Sequence, residues 1–141
     1  MTPRRIIKPG LGVDEFELGM TRAQLWARTD STIMAFLTEG ASDRTDNFLA
    51  LGVQAEYQDG KARGFMVLAR LNNRTLAPLI VLDEDISGFT RAEVDILLDL
   101  HGIHRENLVE QIDVPELGLS FGFREDYQQP PILEFVLVER V

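Results

Sequence analysis

Gly19-Met-Thr-Arg-Ala-Gln-Leu25 recurs 69 residues later as Gly88-Phe-Thr-Arg-Ala-Glu-Val94, with four identities and two similar pairs in seven positions. Downstream, Leu51-Gly-Val-Gln-Ala-Glu-Tyr57 is paralleled 66 residues later by Leu117-Gly-Leu-Ser-Phe-Gly-Phe123. Two matches in the same order, each about half the chain apart, are the mark of an internal duplication. A chain of 141 residues is long enough for one apolar core shared by two small halves. The reading is therefore one unit over 1–141, with repeat 1 at 11–70 and repeat 2 at 78–140.

Each copy carries a helix start. Thr21-x-x-Gln24 and Thr90-x-x-Glu93 are capping boxes, in which the Thr oxygen accepts from the third helical N–H and the Gln or Glu reaches back. Helices are expected over about 22–30 and 91–101. On the second, Val94, Ile96, Leu97, Leu98 and Leu100 are read as a broad apolar face opposite Asp95 and Asp99. Short strands are expected before the helices, at Val13–Leu18 and Leu79–Leu82.

After each helix the period drops toward two. Val53, Ala55 and Tyr57 alternate with polar residues up to Asp59-Gly60, a hairpin turn. Phe65–Ala69 reads as a central strand, and Leu119, Phe121 and Phe123 share one strand face. A turn containing Pro130-Pro131 leads to a last strand at about Ile132–Glu139. Ile33–Leu37 fits strand or helix. The expected fold is α+β: two tandem β-α-β-β-β repeats, helices packed on antiparallel sheet. Such a sheet keeps its other face free for a partner.

Charge divides the halves. Residues 1–70 hold nine acidic and nine basic residues, whereas 71–141 hold fourteen acidic and five basic, so the whole net charge of −9 falls in the second half. That balance speaks against direct binding to nucleic acid, which needs clustered Lys and Arg. A basic protein is the complementary partner. The candidate partner-binding residues are Asp83, Glu84, Asp85, Asp95, Asp99, Glu106, Glu110, Asp113, Glu116, Glu125, Asp126 and Tyr127. Phe121 and Phe123 could add apolar anchors if exposed, although their alternation suits a core better. A solvated acidic surface is the plainer alternative.

Motifs for chemistry fail on their context. Gly118-Leu-Ser-Phe-Gly122 has the G-x-S-x-G form, but strand alternation runs through it and both histidines precede it. Its glycines suit a sheet where another backbone or a partner approaches closely. His101-x-x-His104 is split by Gly102, a helix-ending residue, so no metal is assigned. Lys61 follows Gly60 without the remaining P-loop pattern. No cysteine is present to act as nucleophile, thiolate ligand or lipid anchor. The longest apolar runs are five residues, far short of a membrane span, and no secretory apolar stretch follows the N-terminal arginines. The chain reads as cytoplasmic, with no catalytic residue and no cofactor.

The string Gly12-Val-Asp-Glu-Phe-Glu-Leu-Gly-Met-Thr21 resembles the L-G-M-T helix entry of the small lipoprotein fold of bacterial outer-membrane assembly factors. Its tandem arrangement is similar to the β-lactamase inhibitor protein fold. It also resembles small cytosolic bacterial proteins with an L-G-M-T…L-G-V pattern, some of which serve as toxin immunity partners. The resemblance implies two helix-plus-sheet repeats with a concave sheet that grips its target. The expected function is a non-enzymatic inhibitor, an immunity protein occluding a basic toxin or effector. A small-molecule-binding or enzymatic α+β domain is the alternative, and an assembly scaffold held by its sheet edges a third.

Overall fold

Both capping boxes form in the computed structural model, which describes residues 4–37, 39, 43–71, 74–126 and 129–141. Thr21 accepts from the Gln24 N–H, and Gln24 Oε1 accepts from the Thr21 N–H at 2.9 Å. Thr90 and Glu93 repeat the arrangement. A helix whose first N–H groups are satisfied in this way loses about 1 kcal/mol when the cap becomes alanine. Thr90→Ala is expected to lower stability by that amount in urea denaturation, with Thr90→Ser close to wild type.

Along the chain run β1 (Arg5–Lys8), β2 (Gly12–Val13), β3 (Phe16–Glu17), α1 (Arg22–Trp26), β4 (Ile33–Phe36), β5 (Thr45–Phe48), β6 (Val53–Gln58) and β7 (Lys61–Leu68). A small hairpin of β8 (Arg70–Leu71) and β9 (Arg74–Thr75) follows. Then come β10 (Leu79–Val81), β11 (Glu84–Asp85), α2 (Arg91–Leu100), β12 (Glu106–Asn107), β13 (Gln111–Val114), β14 (Leu119–Asp126) and β15 (Gln129–Glu139). The protein is mixed α+β and dominated by strand. The main sheet has eight strands in the order β12-β13-β14-β15-β7-β6-β5-β4, with neighbours antiparallel throughout. A smaller sheet has the order β11-β10-β1-β2-β3. No described helix is long and apolar enough to cross a membrane.

Several local expectations shift. The first helix ends at Trp26, short of residue 30, because Leu25 is its only buried side chain. The next positions on that face, Arg28 and Thr29, are polar and offer nothing to bury. On α2 the buried stripe is Val94, Leu97 and Leu98, while Ile96 and Leu100 face solvent; Ile96 lies two residues from Val94, about 200° around the helix. Four described strands of the main sheet, rather than three, follow each helix, and the β8–β9 hairpin is added after the first set. Ile33–Phe36 is a strand, paired with Thr45–Phe48 at the sheet edge. The 13–18 strand is instead a hairpin of two short strands around Asp14-Glu15. Pro130 and Pro131 sit inside β15, in the irregular stretch between the Asp126–Gln129 and Arg124–Ile132 pairs, where a missing N–H breaks no ladder bond.

The core lies on one face of the main sheet. Val67, Val136, Phe121, Ile112, Val53 and Phe48 form one row of cross-strand partners on that face, and all are buried. Leu25 of α1, the α2 stripe and Phe16 of the smaller sheet join them in a single cluster. The Phe16 ring packs at a tilt 4.8 Å from Phe48 and 6.1 Å from Phe65, which brings the smaller sheet onto the larger. Arg5, also buried, extends from β1 to donate to the carbonyls of Leu51, Leu68 and Ala77. Burial holds its guanidinium below the ordinary arginine pKa, with Asp14 and Asp85 opposing the shift.

Candidate functional site

The helices and the smaller sheet all pack on the face that carries Phe48 and Phe65. By strand alternation, the opposite face carries an unbroken row across all eight strands. It runs Glu106, Asp113, Ser120, Leu137, Met66, Gln54, Asn47 and Met34. Beside it, Gln111, Gly122, Phe135 and Leu68 form a parallel row. Along these rows the side chains pass from carboxylates on β12 and β13 through apolar groups on β15 and β7 to amides on β6 and β5, and Glu56 and Glu139, both opposite Gly64, add carboxylates to the same face. Leu137, Met66, Phe135 and Leu68 are all partly exposed.

Two glycines shape this region by close approach. A Cβ on Gly122 would lie 2.2 Å from the Phe135 ring, whose outer end therefore occupies the space over this glycine. Gly118, with φ +64°, caps the 3-10 turn Pro115–Leu117 and accepts from the Glu139 N–H. Ser120, between them, is a mid-strand residue on the open face, paired with Asp113 and Leu137. It does not sit on the strand-to-helix turn that an activated serine requires.

The acidic candidates are spread over several surfaces. Asp113 and Glu106 lie on the open face, where Asp113 accepts from Gln111 Nε2 at 2.7 Å. Glu110 is exposed in the loop just before β13. Asp83 and Glu84 are exposed at the β10–β11 hairpin. Asp85 shapes that hairpin's exit, accepting from the Ser87 N–H, the Ser87 hydroxyl and the Leu79 N–H. Desolvation opposes its charge, but these bonds and Arg5 together hold its carboxyl below the ordinary value. Glu116 accepts from the His104 N–H at 2.9 Å. Asp95 and Asp99 share Arg105, at 2.7 and 2.6 Å, so their mutual repulsion is offset by a cation that helix spacing alone does not reveal. The side chains of Glu125 and Asp126, and all of Tyr127, lie outside the described residues. Phe121 and Phe123 are buried against the helices, so they are core residues and not surface anchors.

A second cluster has no counterpart among the candidates drawn from sequence. The Asp46 carboxylate, on β5 with no exposed surface, accepts from four donors. Arg22 Nε and Nη2 approach at 2.9 and 2.7 Å, Trp26 Nε1 at 2.7 Å and the Tyr57 hydroxyl at 2.8 Å. Arg22 also lies 4.8 Å over the Trp26 ring. Burial pushes the Asp46 carboxyl up, yet the bonds from Arg22, Trp26 and Tyr57 outweigh it and hold the group below its ordinary value. Burial, then the bond to Asp46, pushes the Tyr57 hydroxyl far up. The available clue was Tyr57 itself, since a buried tyrosine hydroxyl needs a partner. The group ties α1 to the sheet.

Two of the clefts lined by described residues stand out by volume. One, of about 690 Å³, is lined by Glu56, Asp59, Glu139, Lys61, Arg63 and Arg140 around the β6–β7 turn. The other, of about 490 Å³, is lined by Phe16, Leu51, Lys8, Asp14, Glu15 and Arg28 among others. In both, charges of opposite sign are mixed. Among the described residues no group of three His, Cys, Asp or Glu is placed to hold a metal ion; His101 caps the end of α2 and Gly102 follows at φ +63°. No family model, curated protein or solved structure matches the chain.

Proposed function

We propose that the chain is a non-enzymatic inhibitor that binds a basic protein on its open sheet face, acting as an immunity protein that occludes a toxin or effector. The observation that carries this reading is an eight-stranded face that no described helix covers, with apolar side chains of β7 and β15 at its centre and carboxylates on β12 and β13 at one flank. An apolar centre supplies the contact that excludes water, and a charged flank supplies steering and register. Glu106 and Glu110 at the β12–β13 end, beside Asp113, together with Asp83 and Glu84, are exposed candidates placed to meet Lys and Arg.

We further infer that the fold is a duplicated unit. In support, Thr21 bridges Lys61 while Thr90 bridges Ile132, and the register shifts at Glu56/Tyr57 and Gly122/Phe123 fall at corresponding places. The eight-stranded order is also palindromic about the β15–β7 pair. On this reading Arg91, which donates to the carbonyls of Leu108, Val109 and Gln111, corresponds to Arg22. Ile112 corresponds to Asp46, and Phe123 to Tyr57. A partner would then see two similar half-sheets, of which one is acidic.

The test is capture of partners by the immobilised chain from its native cell, compared with a Glu106→Lys/Asp113→Lys variant. The expected result is a basic protein, held less tightly by the variant and released by moderate salt. Recovery of the same partners by both proteins at every salt concentration would count against the reading. The cleft bearing Glu56, Asp59 and Glu139 favours small-molecule binding as the second reading, and a copurifying ligand would support it.

A further inference from the structure

The two edges of the main sheet are built differently. At one end, β12 is two residues long and carries Glu106, a short charged strand of the kind that resists pairing with another chain. At the other, β4 is Ile33-Met-Ala-Phe36, with no charge in it and no described strand beyond it. Leu49 N donates to Thr32 O, so in the antiparallel alternation Met34 and Phe36 bond inward to β5. The N–H and C=O groups of Ile33 and Ala35 therefore point out from the edge. Apolar surface gathers around them: Met34 is 56% exposed, Leu37 60% and Trp26 45%. Trp26 belongs here because its indole bonds Asp46, the cross-strand partner of Ala35.

We propose that β4 is a self-association edge, where two copies pair antiparallel across a twofold axis to join their main sheets into one of sixteen strands. The register that uses the four residues of β4 together with the adjoining Leu37 sets Ala35 against Ala35, Ile33 against Leu37 and Met34 against Phe36 of the second copy. The outward groups of Ile33 and Ala35 then complete the ladder. On the open face two Met34–Phe36 pairs come together, a sulfur–aromatic arrangement. Charge selects a second copy as the occupant. The excess of acidic residues belongs to residues 71–141, which supply β12 to β15 and α2 in the other half of the sheet. Seven strand spacings separate β4 from β12, about 34 Å, several times the roughly 8 Å screening length at physiological salt. Pairing at β4 keeps the two acidic ends at opposite extremes of the joined sheet. Pairing at β12 would bring them together.

Sedimentation equilibrium from micromolar to millimolar protein tests this. The expected mass rises with concentration from 15.9 kDa toward twice that value. Ala35→Pro removes an outward donor without touching the β4–β5 ladder, and it should hold the mass at the monomer value. Met34→Lys/Phe36→Lys, which sets like charges against one another on the open face, provides an independent check and should do the same. Far-UV circular dichroism of both variants should match wild type. A wild-type mass that stays monomeric throughout overturns the proposal, as does a dimer that persists in the well-folded double-lysine variant.

Discussion

Asp46→Ala is expected to cost about 3 kcal/mol of folding stability, at the low end for breaking a buried ion pair by removing one partner. Three groups lose their acceptor at once. Arg22 and Trp26 are partly exposed and can recover water, which keeps the loss from being larger. The Tyr57 hydroxyl, 2.8 Å from Asp46, is enclosed and cannot recover so easily; an orphaned buried polar group costs about 1–3 kcal/mol. Asp46→Ile with Tyr57→Phe copies the Ile112 and Phe123 pair of the other half. Removing acceptor and enclosed donor together should restore most of the loss. Equilibrium urea denaturation of wild type and the two variants measures this, and a double variant as unstable as Asp46→Ala would contradict it.

The pH dependence follows from the direction of the Asp46 shift. The folded carboxyl lies below its ordinary value, so its stabilising effect is complete above the unfolded carboxylate range near pH 4. It is lost as pH falls through the depressed folded value. The stability gap between wild type and Asp46→Asn should therefore be constant near neutrality and narrow only in acid.

Gly118→Ala is the second large effect, expected to cost about 3 kcal/mol. An L-residue at φ +64° is strained by roughly 1–2 kcal/mol. In addition, the new Cβ would stand 2.1 Å from the Glu139 carbonyl oxygen, which no side-chain rotation can relieve. Backbone displacement of this kind typically adds about 1–3 kcal/mol. Gly60→Ala separates the two causes. Gly60 has φ +76° but no atom within 4 Å of an added Cβ, so it should lose only the conformational part, about 1 kcal/mol. Equal losses at the two glycines would show that close approach at Gly118 contributes nothing.

Local signals in the sequence translated well into local structure. Capping boxes specify their own hydrogen bonds within four residues, and Asp59-Gly60 supplies the two left-handed conformations of a tight hairpin. The continuous apolar run Phe65–Ala69 marked the sheet centre. Its meaning for the open face lay in the same residues: a strand apolar on both faces leaves Met66 and Leu68 outside once Phe65 and Val67 enter the core. What escaped depends on pairs distant in sequence. Arg22 and Asp46 are 24 residues apart, and nothing in either neighbourhood marks the other. Arg105 likewise reaches Asp95 and Asp99 only because the chain turns back after Gly102. The acidic second half was legible as composition, yet the fold divides it among a hairpin, a helix clamp and the sheet face. Charge reversal at Asp95 or Asp99 would thus disturb an internal clamp first, and Glu106 and Asp113 are the better probes of a partner.

Methyl NMR of the chain on titration with its captured basic partner tests the role of the open face most directly. The expected result is a set of shifts at Met66, Leu68 and Leu137, with Ile96 and Leu100 on the outer side of α2 unmoved. Shifts confined to Ile96 and Leu100, with the sheet-face methyls unchanged at saturation, would contradict it.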